Sequence, residues 1–500
     1  MAGIVFFFRL VRCKFRMLVE IMKYKLWVTV FVLISFLASC KHETSSIVET
    51  KEIQRCDIPK TWDAMSPVIL ENPKLLNSSV GSKYSSIEIS PNGHGVIVWS
   101  EMVGNEISIL SSSLNLVGDI QVPDWGQSTI VDASNVGNAT KSALSMNKCG
   151  DAMLTWYEND RSWYRLYSRD SGWSNARVIN NDPSCDSLSI NNDMSGFCIY
   201  TKLVDKKYRI FSKKFMAESG WEDATRIDSN SEFNAYNAKI KIDKTGNSIA
   251  VWDQFDTDES IGGSQRNIWT NIYIPEIGWG SSNVIERQNK GHAINPKLEM
   301  DENGNAYVVW VQYDGPTYLP GTTRTSIYFN TYSSTNGWST ERNISGDTGL
   351  NANNVSISVN DGGEGVVVWN EADWQLTSPP SVISKRFSGE EGVSSQSVSI
   401  GSEWNSAKEG FFPGDTVPDV SINNDGVISV VWSAPSWTEQ IFLSKFTQSS
   451  GWVDAVSIKS TIIDSYNPSI KIDGMGRSLV VWNQKTIGSS DTNVWGYTDR

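Results

Sequence analysis

The chain has 500 residues, with 43 basic and 56 acidic side chains, a formal net charge of −13 and 21 tryptophans. The acidic surplus excludes a nucleic-acid partner, whose phosphates need a basic face, and argues against docking of the domain surface on anionic lipid. Three histidines (His42, His94, His292) and six cysteines show no zinc-ligand spacing, so neither a metal nor a cofactor is expected.

At the N-terminus, Met22-Lys23-Tyr24-Lys25 is a short basic start, and Leu26 to Ala38 is an apolar run broken only by Thr29 and Ser35. A run this short reads as a signal peptide, since a spanning helix needs about 20 residues. It ends in Leu37-Ala38-Ser39-Cys40, which resembles the lipobox of bacterial lipoproteins. The resemblance implies cleavage before Cys40 and its acylation with palmitate-type chains. Lys41, rather than Asp, at the next position implies sorting to the outer membrane of a Gram-negative host. Residues 1–39 are therefore read as signal peptide, with 1–21 an upstream extension and Met17 or Met22 the initiator. Residues 40–60 are a polar tether, and 61–500 are the folded domain.

That domain is repetitive. Ile-Lys-Ile-Asp-Lys-Thr-Gly-Asn-Ser-Ile-Ala-Val-Trp ends at Trp252, and its counterparts end at Trp99, Trp156, Tyr200, Trp310, Trp369, Trp432 and Trp482, 44 to 63 residues apart. Six residues before the anchor stands a glycine (Gly93, Gly150, Gly246, Gly304, Gly363, Gly426, Gly476), replaced by Met194 in the third copy. Positions ten and twelve before the anchor are apolar, as in Ile87/Ile89 and Ile470/Ile472. Alternation of period two marks a strand, and Asp/Asn-x-x-Gly marks a hairpin turn with positive φ. The next strand is apolar at consecutive positions, as in Val366-Val367-Val368-Trp369, so it must be covered on both faces. A third strand follows, then a turn and Gly-Trp opening a fourth (Gly172-Trp173, Gly220-Trp221, Gly278-Trp279, Gly337-Trp338, Gly451-Trp452). These tryptophans are expected to pack blade against blade.

The pattern predicts an all-β, eight-bladed β-propeller of four-stranded blades, with seven blades plus an aberrant module as the alternative. The eighth copy ends after its third strand, and Thr61 to Ile69 matches fourth-strand segments. An N-terminal strand should thus close the ring. Cys56, Cys149, Cys185 and Cys198 permit disulfides in an oxidising compartment, with no pairing assigned.

Long connections (Asp253 to Asn267, Val311 to Ser326, Asn370 to Pro380, Gly401 to Pro418) fall on one face, where binding is expected. Two residues after the anchor stand Glu101, Glu158, Gln254, Gln312, Glu371 and Gln484, interrupted by Lys202 and Ala434. With Tyr313, Trp374 and Trp437 nearby, they are ligand-binding candidates suited to polyhydroxylated ligands. A bond from each to loop backbone is the structural alternative. Asn237, Asn295, Asn354 and Asn467 recur in register and should cap loop backbone. The acidic run Asp256-Thr257-Asp258-Glu259 lacks the ligand spacing of a known calcium loop.

The repeat is similar to those of sialidase-like propellers, whose third-to-fourth turns carry Ser-x-Asp-x-Gly-x-x-Trp boxes. Ser168-Arg169-Asp170-Ser171-Gly172 matches the first half of such a box, with Trp173 following at once. Tyr208-Arg209-Ile210-Phe211 resembles the arginine-bearing motif of that family, but Phe211 replaces its proline and the segment lies in the third blade. The resemblance therefore implies architecture and carries over no catalytic residue. No Gly-x-Ser-x-Gly, His-Glu-x-x-His or phosphate loop is present. The expected function is that of a monomeric, membrane-anchored extracytoplasmic binding propeller that meets glycan or protein through its long-loop face. Its membrane contact would be through the lipid anchor only. A sialidase-like glycoside hydrolase and a scaffold of an envelope complex are the alternatives.

Overall fold

A computed structural model describes residues 74–76, 85–116, 124–132, 137–228, 233–256, 264–287, 291–315, 324–373, 380–389, 392–394, 396–401, 417–434, 440–458, 464–485 and 492–499. The chain divides into Met1–Asp57, outside these residues, and Ile58–Arg500.

The second unit is an eight-bladed β-propeller, and no helix occurs among the described residues. Blade 4 shows the plan, with an inner strand Ala235–Ile242, a second Ser248–Phe255 and a third Arg266–Ile274. Its outer strand is split into Gly278–Trp279 and Asn283–Val284, both paired to the third. Neighbouring strands are antiparallel, with Trp252 opposite Trp269. Inner strands of successive blades touch in an unbroken circuit that returns from blade 8 to blade 1.

Each second strand is buried on both sides because a blade stands on each. In blade 6, Val367 and Trp369 pack with Val309, Val311 and Phe329 of blade 5, while Val366 and Val368 pack with Val430 and Trp432 of blade 7. One core of this kind fills the closing junction, where Leu479, Val481 and Val494 of blade 8 meet Ile87, Ile97 and Trp99 of blade 1. The fourth-strand tryptophans reach the preceding blade, as expected. Trp173 Nε1 donates to Ser111 Oγ at 3.2 Å, and Trp279 lies edge-on to Phe197 at 5.6 Å.

Blade 8 takes its fourth strand from the N-terminal side. Lys74 pairs with Gly496 and Leu75 with Trp495, and Leu76 N donates to Val494 O at 3.0 Å. The closing strand is thus Lys74–Leu75; residues 61–69, where the repeat pattern put it, lie outside the described residues. Lys74–Leu75 matches the second half of an outer strand, as Val456–Ser457 does opposite Leu443 and Phe442 in blade 7.

The turn between inner and second strands is built alike in every copy. The seven register glycines all have φ between +73° and +89°, and Met194 takes φ +59° where the third copy lacks one. An Asx side chain opens seven of the eight turns and accepts from backbone two and four residues on. Asp301 Oδ1, for example, takes the N–H of Asn303 and of Asn305, both at 2.9 Å. Asn237, Asn295, Asn354 and Asn467 prove to be bulge residues with φ between +51° and +56°; asparagine tolerates this left-handed backbone better than most residues.

The inner strands face the channel as edges, and their unpaired N–H groups need partners. Side chains eleven or thirteen residues before several of the anchors supply them to the next blade. Ser145 Oγ accepts from Ile190 N (3.2 Å), Ser189 from Ile242 N (3.3 Å), Ser358 from Ile422 N (3.2 Å) and Ser421 from Ile472 N (3.1 Å). Asp419 does most, accepting from Ile470 N and from the hydroxyls of Ser356 and Ser469 at 2.9–3.0 Å. Asp419→Ala leaves three donors of two neighbouring blades without an acceptor. It should lower unfolding free energy in urea by about 2 kcal/mol; a change within error would mean that water replaces the carboxylate.

Candidate functional site

The repeated polar residue two after the anchor turns inward. Glu101, Glu158, Gln254, Gln312, Glu371 and Gln484 are each at most 6% exposed. Each accepts the indole N–H of its own anchor: Trp99 to Glu101 (2.7 Å), Trp156 to Glu158 (3.0 Å), Trp252 to Gln254 (2.8 Å), Trp310 to Gln312 (3.1 Å), Trp369 to Glu371 (2.9 Å) and Trp482 to Gln484 (3.3 Å). A fully buried indole needs such an acceptor. The amides also hold incoming backbone, Gln254 Nε2 donating to Phe233 O at 3.1 Å and Gln312 Nε2 to Gly291 O at 3.0 Å. Blade 3 has Tyr200 in place of the indole, and its Lys202 pairs with Asp182 at 2.6 Å instead. This bonding accounts for the register of the six residues. Trp374 and Trp437 lie outside the described residues, as do Thr257, Asp258 and Glu259.

Tyr313 has different surroundings. At the loop-face ends of blades 3 to 5, a run of rings passes from Tyr208 to Tyr236 (5.4 Å between centroids), Phe255 (6.4 Å), His292 (6.0 Å) and Tyr313 (6.2 Å). Tyr208 is 42% exposed, and Tyr236, His292 and Tyr313 are half-buried. The Arg266 guanidinium stacks against Tyr236 at 5.0 Å and Phe255 at 4.7 Å. The buried Asp253 carboxylate sits beneath it, accepting from Arg266 (3.4 Å), Asn237 Nδ2 (2.7 Å) and Asn295 N (3.0 Å). Burial raises the Asp253 carboxyl above its ordinary value, opposed by these donors.

His292 is held in one tautomer. Its Nδ1 accepts the backbone N–H of Arg266 at 3.0 Å, so the neutral ring carries its proton on Nε2. Burial and then the nearby Arg266 charge lower the imidazole below its ordinary value. The arc therefore presents aromatic faces, phenol hydroxyls, an imidazole N–H and a partly exposed guanidinium. Tyr313 was marked by the sequence. Arg266, Tyr236, Tyr208 and Phe255 were not, because their residue types do not recur from copy to copy, even where the position does, as for Phe255 and Tyr313 three residues after their anchors.

The opposite, turn-side face carries wedge-shaped clefts between blades. One of about 660 Å³ lies between blades 5 and 6, bordered by Asp301, Asn305, Tyr307, Tyr332 and Arg342. Similar gaps of about 350 and 530 Å³ lie at blades 4/5 and 6/7. Their recurrence makes them features of the repeat, whereas the arc is particular to three blades. No group of three or more His, Cys, Asp or Glu placed to hold a metal occurs among the described residues.

Burial raises the Glu371 carboxyl, with the Trp369 indole and Lys385 opposing the shift. A carboxylate raised on folding destabilises the fold once pH exceeds its unfolded value, and is neutral in both states well below it. Glu371→Gln keeps the indole acceptor, as Gln254, Gln312 and Gln484 do. The variant should out-last the native protein in urea at pH 7, and the gap should close below pH 4; a gap independent of pH would contradict the assignment.

No protein-family model and no curated protein matches the sequence. Among solved structures, a protein of unknown function from Dyadobacter fermentans aligns with 87% of this chain and 100% of its own, at 10% identity and a TM-score of 0.42. The polysaccharide lyase Uly1 aligns with 70% of this chain and 87% of its own, at 9% identity and TM-score 0.43. A sialidase from Streptococcus pneumoniae aligns with 86% of this chain and 70% of its own, at 10% identity and TM-score 0.34. At these values no argument about ligand or reaction passes to this chain.

Proposed function

We propose that the protein is an envelope-anchored binding propeller that recognises glycan through the aromatic arc on the loop face of blades 3 to 5. The observation that carries this reading is the run Tyr208–Tyr236–Phe255–His292–Tyr313 with Arg266 stacked into it. Partly exposed rings offer apolar faces to the C–H face of a sugar, while phenol, imidazole and guanidinium groups meet its hydroxyls. The buried Asp253 carboxylate and the bond from Arg266 N–H to His292 Nδ1 hold the arginine and histidine before any ligand arrives, which lowers the ordering cost of binding. A hydrolase would need two carboxylates facing one bound sugar; beside the arc, Asp253 is buried under Arg266 and Asp314 accepts from Ser326 at 2.9 Å.

Export is supported by the disulfide between Cys185 and Cys198, a bond that persists in oxidising compartments. The anchor itself rests on the Leu37-Ala38-Ser39-Cys40 motif.

On a glycan array, the protein should bind a defined subset of glycans. Tyr313→Ala and Tyr236→Ala should each weaken that binding by about tenfold, or ~1.4 kcal/mol, without lowering the melting temperature appreciably. Silence on glycans together with a reproducible protein partner in pull-downs would replace the ligand class. Separately, Cys40→Ala should move the protein from the detergent phase to the aqueous phase; continued partition into detergent would refute lipidation at Cys40.

A further inference from the structure

The charges around the channel are paired almost everywhere. Eleven residues before the anchors, the eight inner strands read Glu88, Ser145, Ser189, Lys241, Glu299, Ser358, Ser421, Lys471, so the order Glu-Ser-Ser-Lys passes twice round the ring. At both junctions of Lys with Glu an ion pair forms, Lys241 with Glu299 at 2.8 Å and Lys471 with Glu88 at 3.4 Å. At the turn-side end, Lys148 of blade 2 reaches Glu302 of blade 5 and Asp361 of blade 6, the latter at 2.6 Å. One side chain thus bridges blades on opposite sides of the ring, and at that end of the channel the lysine is paired with two carboxylates.

One layer toward the loop face, thirteen residues before the anchors, the strands read Ser86, Ala143, Ser187, Lys239, Lys297, Ser356, Asp419, Ser469. Two lysines stand on adjacent inner strands at the same level. The one carboxylate of this layer, Asp419, serves Ser356, Ser469 and Ile470 N on the far side. Asp186, the carboxylate that acts on Lys239, accepts the N–H of Thr201 at 2.7 Å. Neither Lys239 nor Lys297 forms an ion pair or side-chain hydrogen bond among the described residues. Lys297, Asn237 and Asn295 are exposed, so solvent reaches this level. Two unpaired ammonium groups side by side repel one another, and this in a chain of net charge −13, where acidic partners are abundant.

We propose that Lys239 and Lys297 form an oxyanion-binding site in the channel wall of blades 4 and 5, taking a carboxylate or sulfate group, free or carried on a sugar. Bound between the two ammonium groups, the anion replaces their repulsion by two charge-assisted hydrogen bonds. Burial, then the charge of Lys297, lowers Lys239 to about 8, with Lys241 adding to the fall and Asp186 opposing it. An anion favours the charged form, so affinity is full below that value and falls as pH rises through it.

The test is calorimetric titration of the protein with sodium sulfate and, separately, sodium glucuronate at fixed ionic strength, at pH 6.5 and 9.5. Saturable binding of one anion per chain is expected at pH 6.5, weaker by about tenfold or more at pH 9.5. The anion that binds more tightly identifies the acid group, glucuronate a carboxylate and sulfate a sulfate, and a parallel titration with sodium acetate and with glucose 6-sulfate separates the free from the sugar-borne form of each. Lys239→Met should abolish binding, and Lys239→Arg should keep it at pH 9.5, because guanidinium stays charged. Lys297→Met, at an exposed position, carries the same expectation should Lys239→Met fail to fold. Absence of saturable binding, or equal affinity in the native protein and Lys297→Met, overturns the site. Tyr313→Ala, which tests the arc, should leave the sulfate titration unchanged, so the two readings fail separately.

Discussion

The constraint on which the rest depends is that each second strand is apolar on both faces. A strand such as Val366-Val367-Val368-Trp369 cannot leave either side to water. It must be sandwiched, and each blade that sandwiches it has a second strand with the same need. An open stack would end with one apolar face bare at each terminus. A closed ring has no terminus, and the junction of blade 8 with blade 1 is filled by the same kind of core as the other seven.

Closure creates a second problem at the axis, where inner strands meet as edges without backbone pairing. Serine resolves it at low cost, since a short hydroxyl reaches the neighbour's N–H without filling the channel. Where serine gives way to longer charged residues, the reach across blades becomes an ion pair, as between Lys241 and Glu299 or Lys471 and Glu88. The layer holding Lys239 and Lys297 departs from both solutions. Such a local inconsistency in a repeat is where a function particular to one sector is to be sought.

The two faces of the ring differ for a physical reason. On the turn side, a residue of positive φ in every hairpin, with an Asx side chain in seven of the eight, fixes one shape, and Lys148 ties blades across the axis. On the loop side the connections vary in length, and the side chains that come together there come from several kinds of position. Tyr236 precedes an inner-strand bulge, Phe255 and Tyr313 end second strands, Arg266 begins a third, and His292 lies in a connection between blades. Asp253 joins them by accepting from three elements at once.

Strand order, blade number and the need for closure were set by the sequence itself, because a repeat in register states its own periodicity and its two-sided strands admit few packings. The glycine turns were equally legible, since positive φ restricts residue choice locally. The six Glu and Gln residues were visible as a pattern, but the pattern could not say whether they faced ligand or protein. That depended on where the anchor indoles point, and a buried N–H beside each supplied the answer. That an N-terminal segment closes the ring was legible too, whereas the pairing of Lys74 with Gly496 and of Leu75 with Trp495 is a matter of cross-strand register that residue likeness does not give. The aromatic arc and the lysine pair belong to tertiary structure alone. Lys239 and Lys297 share a register, as do Phe255 and Tyr313, but register alone does not say which positions of neighbouring blades meet, and only the stacking of blades around an axis brings their rings and charges within range of one another.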